Sequence, residues 1–203
     1  MSKSNVLELA KKLVAAIEKE DRKNKVMLKD IPVGGKFNTG IGRFIVLEQK
    51  EDCTAVITED LYREDVKFDG ACTDYKKSSL RKLCEDEILN EFSEEFGKEN
   101  ICTNEAGLVT VDGQKVFEKL LTKVRPLTFD EARECNDLLV NKDIPDLYWT
   151  CTPWSTKERG REYSVAVVSP SGYVNISSYD CSRGVRPVCI LKSNIFVSKV
   201  EEE

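Results

Sequence analysis

The chain opens on a helical spacing of apolar positions and closes on strand alternation. Val6, Leu9, Ala10, Leu13, Val14 and Ile17 fall on one helical face. Asn5 stands at the N-cap position and Glu8 completes a capping-box pattern. Glu18 to Lys25 is almost wholly polar and reads as a solvated linker, so residues 1–25 form an N-terminal amphipathic helix and its exit. The stripe spans about three turns, short for an isolated coiled coil, and it either packs on the body or pairs with a copy of itself as a homo-oligomer.

Strand patterns follow. Lys36 to Thr39 and Arg43 to Glu48 flank Gly40-Ile41-Gly42, which predicts a hairpin. Thr54 to Thr58 predicts a third strand, and the meander would put one face on a core. Glu59 to Lys77 is polar with irregular aromatics. Ser78 or Ser79 then caps a helix whose buried stripe is Leu80, Leu83, Cys84, Ile88 and Phe92, stopped by Gly97. Ile101 to Leu121 is loop-rich, with a turn at Asp112-Gly113. A third helix is expected from Thr128, boxed by Glu131, to near Asn141. In the last third, Tyr148 to Thr150 and Tyr163 to Val168 read as strands, with a turn at Ser169-Pro170-Ser171-Gly172. From Tyr173 to Ser177, Tyr173, Asn175 and Ser177 point one way and Val174 and Ile176 the other. Val185 to Leu191 is a closing strand, and Pro187 within it predicts an edge position or a bulge. Residues 199–203 read as a frayed tail. The fold class is α+β, with short antiparallel strands, two or three helices and long loops.

Composition narrows the function classes. Of 203 residues, 40% are hydrophobic and 33% charged, which suits a folded globular protein. A net charge of -5 favours no broad nucleic-acid footprint. With 0 histidines, the usual general base near neutral pH and the commonest zinc ligand are missing. The apolar runs are only a few residues long, so no membrane-spanning helix and no membrane partner is expected. The 8 cysteines form no CxxC pair. Without an apolar leader-peptide core they are expected as buried free thiols of a protein made in the cytoplasm.

The segment Tyr148-Trp149-Thr150-Cys151-Thr152-Pro153-Trp154, with the ending Gly184-Val185-Arg186-Pro187-Val188-Cys189-Ile190-Leu191, resembles an uncharacterised bacterial and phage domain family. That family is related to the C-type-lectin and formylglycine-generating-enzyme-like folds. Ser78-Ser79-Leu80-Arg81 is similar to its Ser-x-Leu-Arg element, with Tyr75 where the family usually has tryptophan. The resemblance implies a C-type-lectin-like domain over residues 26–198. The same fold carries the variable proteins of diversity-generating retroelements, many of them phage receptor-binding or bacterial surface proteins. It implies phage or prophage origin, with virion association as one destination, and a display surface over Ser155 to Arg183.

Within that stretch, Lys157, Arg159, Arg161, Tyr163, Tyr173, Asn175, Ser177, Tyr179, Asp180, Ser182 and Arg183 are the candidate ligand-binding residues. Tyrosine gives rigid amphipathic contact, and serine and asparagine give adaptable hydrogen bonds. Arg159, Arg161 and Arg183 would give the face positive character. The ligand is expected to be a protein or a glycan. No catalytic residue, metal site or cofactor is expected: the carbohydrate-lectin signatures Glu-Pro-Asn, Gln-Pro-Asp and Trp-Asn-Asp are absent, and Cys181 and Cys189 lack the spacing of the enzyme branch's copper-binding pair. Their thiols are expected in the core. The clustered carboxylates Glu85, Asp86, Glu87, Glu94 and Glu95 read as a solvated helix face. Trp149 and Trp154 are expected in the core, and Arg186 as a structural arginine bracing the loop before it. Two other functions stay open: an intracellular phage accessory factor acting on a host component, and a metal-dependent enzyme.

Overall fold

The computed structural model describes Glu8, Lys11, Lys12 and residues 24–200. Glu8, Lys11 and Lys12 are helical and exposed, and Lys12 pairs with Glu8 at 3.0 Å. The rest of the expected N-terminal helix, its cap Asn5 and its apolar stripe lie outside the described residues, as does the tail 201–203. Lys199, expected to fray, is the last residue of a strand.

The N-terminal half runs through β1 (Lys25–Met27), β2 (Lys36–Thr39), β3 (Gly42–Gln49), β4 (Cys53–Thr58) and β5 (Arg63–Lys67). A helical stretch follows: α1 (Ser79–Leu83), a π-helical turn (Cys84–Ile88) and α2 (Leu89–Phe96). Ser78 caps it by accepting from Arg81 N at 3.1 Å. Gly97 ends it at φ 81°, a left-handed angle that costs glycine little. Then come β6 (Ile101–Cys102), β7 (Asn104–Gly107), β8 (Lys119–Thr122) and β9 (Val124–Pro126). Thr128 and Glu131 form the expected capping box at α3 (Phe129–Glu134), and the chain breaks at Cys135 before α4 (Asn136–Leu139). The last strands are β10 (Tyr148–Pro153), β11 (Ser164–Val168), β12 (Val174–Ser178), β13 (Ser182–Val185), β14 (Pro187–Lys192) and β15 (Phe196–Lys199).

Two main sheets result, so the fold is α+β. The larger has 8 strands in the order β1-β15-β2-β3-β4-β14-β6, with β9 also on β14. The smaller has 5, in the order β12-β11-β10-β13-β5, and β7 and β8 form a separate pair. Among the described residues only β10 and β13 pair in parallel, through Tyr148 and Gly184.

Three expectations are corrected. The meander buries both faces, not one. Phe44, Val46 and Val56 join a cluster with Phe92, Phe96 and Trp149, while Ile45, Leu47 and Ile57 join another with Leu127, Ala132, Leu139 and Val188. The α3–α4 segment covers the side that alternation alone would leave to solvent. Second, the closing strand is two strands: β13 belongs to the smaller sheet and β14 to the larger, and Arg186 is the single residue between them. Pro187 therefore sits at no edge. It opens β14, a first position that needs no ladder donor. Third, β5 occupies part of the polar stretch Glu59 to Lys77, for which no strand was expected.

Among the described residues no helix is long and apolar enough to cross a membrane.

Candidate ligand-binding surface

β11 and β12 pair in the order expected across the Ser169–Gly172 turn, with Val165 opposite Ser177 and Val167 opposite Asn175. Opposed residues share a face, so Tyr173, Asn175 and Ser177 stand on the same side as core residues Val165 and Val167. That face is open at Tyr173, 68% exposed, and at Asn175. It is closed at Ser177, only 5% exposed, whose hydroxyl accepts from Arg183 Nε at 3.2 Å. Ser177 is thus not displayed, because the returning chain covers it.

The backbone after β12 folds back over the hairpin. Tyr179 N donates to Tyr163 O at 2.9 Å, and Asp69 N donates to Tyr179 O at 3.1 Å. These bonds bring the 71–74 loop beside the two tyrosines. Asp69 fixes that loop, accepting from Ala71 N and Ser79 N at 2.8 Å and Cys72 N at 3.2 Å. Burial opposes its charge, but those backbone donors outweigh it and hold the Asp69 carboxyl below the usual range.

The result is a cleft of about 470 Å³ lined by Ala71, Cys72, Thr73, Asp74, Phe117, Thr156, Lys157, Glu162, Tyr163 and Tyr179. The Tyr163 and Tyr179 ring centroids are 5.9 Å apart, tilted by 40°. Tyr163 is 57% exposed, and Tyr179 is partly buried against the main core. A hydrogen bond to Glu162, and that carboxylate's charge, raise the Tyr163 phenol above its usual pKa. Burial, with the nearby charges of Asp69 and Asp74, likewise pushes the Cys72 thiol up, so it stays protonated and poorly nucleophilic.

Of the candidate residues, Lys157, Tyr163 and Tyr179 come together here. Tyr173 lies at the far end of β12, about 20 Å away at the usual strand rise. Asn175, Asp180, Ser182 and Arg161 are exposed but do not line the cleft. Asp180 accepts from Ser178 Oγ at 2.6 Å.

The positive face expected from Arg159, Arg161 and Arg183 is not assembled. Arg159 pairs with Asp112 at 3.7 Å and Arg183 with Asp146 at 3.5 Å. Asp112 also accepts from Ser155 Oγ and Thr110 Oγ1, both at 2.6 Å, and these bonds hold its carboxyl low.

The lining residues the sequence did not single out are Ala71 to Asp74, Thr156, Phe117 and Glu162. The irregular aromatics of the polar stretch were the one trace of this side, and nothing local links it to Tyr179.

The other candidate chemistry resolves into structure. All 8 cysteines are free; Cys84, Cys151 and Cys189 are buried, while the other five, Cys181 included, are only partly so. The expectation of uniformly buried thiols therefore holds for three. Trp149 is buried and donates to Val66 O at 2.7 Å, whereas Trp154 is only partly buried. Arg186 does not brace the preceding loop. It is fully buried and donates to Thr58 O at 3.0 Å and to Leu139 O and Tyr148 Oη at 3.1 Å. Among the described residues, no three His, Cys, Asp or Glu side chains converge as a metal site.

No family model matches the chain, and no curated protein and no solved structure matches it either.

Proposed function

We propose that this chain is a non-enzymatic recognition module of C-type-lectin-like fold that binds a protein or glycan through the surface around Tyr163 and Tyr179. One observation carries the reading: a tyrosine pair, one ring 57% exposed, stands on a hydrogen-bonded wall of a cleft large enough for a ligand group. Exposed aromatics on a rigid support are the usual anchors of recognition. The tryptophan element and the Gly184-Val185-Arg186-Pro187 ending support the lectin-like reading and, through it, a phage or prophage source.

A second reading, an intracellular accessory factor acting on a host component, draws on the 8 free thiols, which suit a reducing compartment.

Glycan and immobilised-peptide arrays probed with the full chain test the recognition reading. Binding should survive Tyr173→Ala and be lost in Tyr163→Ala, with both variants melting close to the parent chain. Silence on both arrays, or binding indifferent to Tyr163→Ala, would remove the proposal.

A further inference from the structure

We infer that the cleft beside Tyr163 and Tyr179 takes a cationic side chain, lysine or arginine, from a protein partner. This rests on the recognition reading above and names the chemistry of its ligand. Three features of the cleft converge on it.

First, the ring geometry suits a cation. The Tyr163 and Tyr179 rings, 5.9 Å apart and tilted by 40°, line the cleft together with Phe117. A ring face carries negative electrostatic potential and attracts ammonium or guanidinium groups within about 6 Å of the centroid.

Second, the charges on the lining are acidic in balance. Asp74 and Glu162 supply two carboxylates against one cation, Lys157. Lys157 keeps 81% of its side chain exposed and reaches Glu162 only at 3.8 Å, so it can swing aside. Asp74 is tied to Lys77 at 3.3 Å, and that lysine is 77% exposed. Asp74 also accepts from Lys76 N at 3.1 Å and Glu162 bonds the Tyr163 phenol, so an incoming charge has only the two exposed lysines to replace, at small cost.

Third, two of the three arginines that would turn the site toward anions are engaged elsewhere. Arg159 and Arg183 each face a carboxylate outside the cleft. A volume of about 470 Å³ accommodates a long side chain and its neighbours rather than an extended chain.

The test titrates the full chain with short peptides of one neutral frame, carrying a central lysine, arginine, norleucine or glutamate, by calorimetry and by NMR shifts. Lysine or arginine peptides should bind and the norleucine and glutamate peptides should not, with affinity falling as salt rises. Glu162→Gln and Tyr163→Leu should each weaken binding about fivefold or more; the leucine keeps apolar area but removes the ring face. Lys157→Met should tighten it, because a competing cation leaves the rim. Thermal melts establish that each variant is folded.

Equal binding of the norleucine peptide, no response to Lys157→Met, or no binding of any cationic peptide overturns the inference. If a neutral glycan then binds in a manner abolished by Tyr163→Ala, the recognition reading stands without it. If nothing binds, both fall.

Discussion

Arg186 donates Nη1 to the Tyr148 hydroxyl at 3.1 Å, and its guanidinium carbon lies 4.9 Å from the centre of the same ring. Tyr148 opens β10 in the smaller sheet, and Arg186 is the residue at which the chain leaves that sheet for the larger one. The guanidinium also serves Thr58 at the end of β4 and Leu139 at the end of α4. One side chain at the junction therefore ties together three elements, β4, β10 and α4. Burial lowers its pKa from the usual arginine value, with Tyr148 opposing.

Arg186→Ala should cost about 3 kcal/mol or more, because it leaves buried acceptors without donors. Arg186→Lys should recover little of this, since an ammonium cannot stack on the ring or present the same planar fork. Urea unfolding checks both, read from the shift in midpoint at unchanged slope.

A second buried cation is better satisfied. Arg125 meets Glu131 through two bonds of 2.6 Å, and Glu131 also accepts from Thr128 N at 2.8 Å as part of the helix cap. Burial works against the Glu131 charge, but the Arg125 and Thr128 bonds prevail and hold its carboxyl below the usual range. A depressed native pKa adds stability above the unfolded value of about 4.3, and that stability is lost as pH falls through the native pKa. Glu131→Gln should cost about 2 kcal/mol at neutral pH, less than a fully buried pair because Glu131 keeps 35% of its side chain exposed. The difference from the parent should shrink in melts run at progressively more acidic pH.

Gly184 is crowded by a side chain rather than set by turn geometry. A Cβ there would stand 2.5 Å and 2.6 Å from the two methyls of Leu61. Gly184→Ala should destabilise by about 1–3 kcal/mol through overpacking. In a Leu61→Ala background the same change should cost much less, and a double-mutant cycle of unfolding free energies measures the coupling.

Thiol reactivity should divide the cysteines. Burial pushes Cys84 and Cys151 up to about 12 and raises Cys189 as well. In the native protein near neutral pH these three should resist iodoacetamide. Cys53, Cys72, Cys102, Cys135 and Cys181 should label, with Cys72 and Cys135 slower because their thiols are also raised. Mass spectrometry of peptides after timed quenching reads the pattern; labelling of Cys189 without denaturant would contradict it.

Local chemistry made part of the fold legible. The turn at Gly40-Ile41-Gly42, the cap at Ser78, the stop at Gly97 and the box of Thr128 with Glu131 are each written in a few adjacent residues. β5 was not, because Arg-Glu-Asp-Val-Lys has one apolar residue and shows no alternation; it pairs only at the sheet edge, with β13. The run Phe44-Ile45-Val46-Leu47 did hold its own answer, since four consecutive apolar positions need cover on both sides. For the candidate site, the exposed tyrosines were visible by composition. Their partners Cys72, Asp74 and Phe117 were not, since the bond from Asp69 to Tyr179 spans a separation that no window of local pattern crosses.

The position of β14 has a consequence for how this chain comes to be folded. It pairs β4 on one side and both β9 and β6 on the other, although β9 and β6 precede it by some sixty to ninety positions and β4 by more than a hundred and thirty. While residues 187–192 are still within the ribosome, the earlier strands lack the ladder that joins them, and their apolar faces wait uncovered. Helical segments and the β2-β3-β4 meander can form meanwhile, but β6 and β9 join the larger sheet only on release of the late strand between them and β4. Such long-range closure belongs to the slow end of single-domain folding.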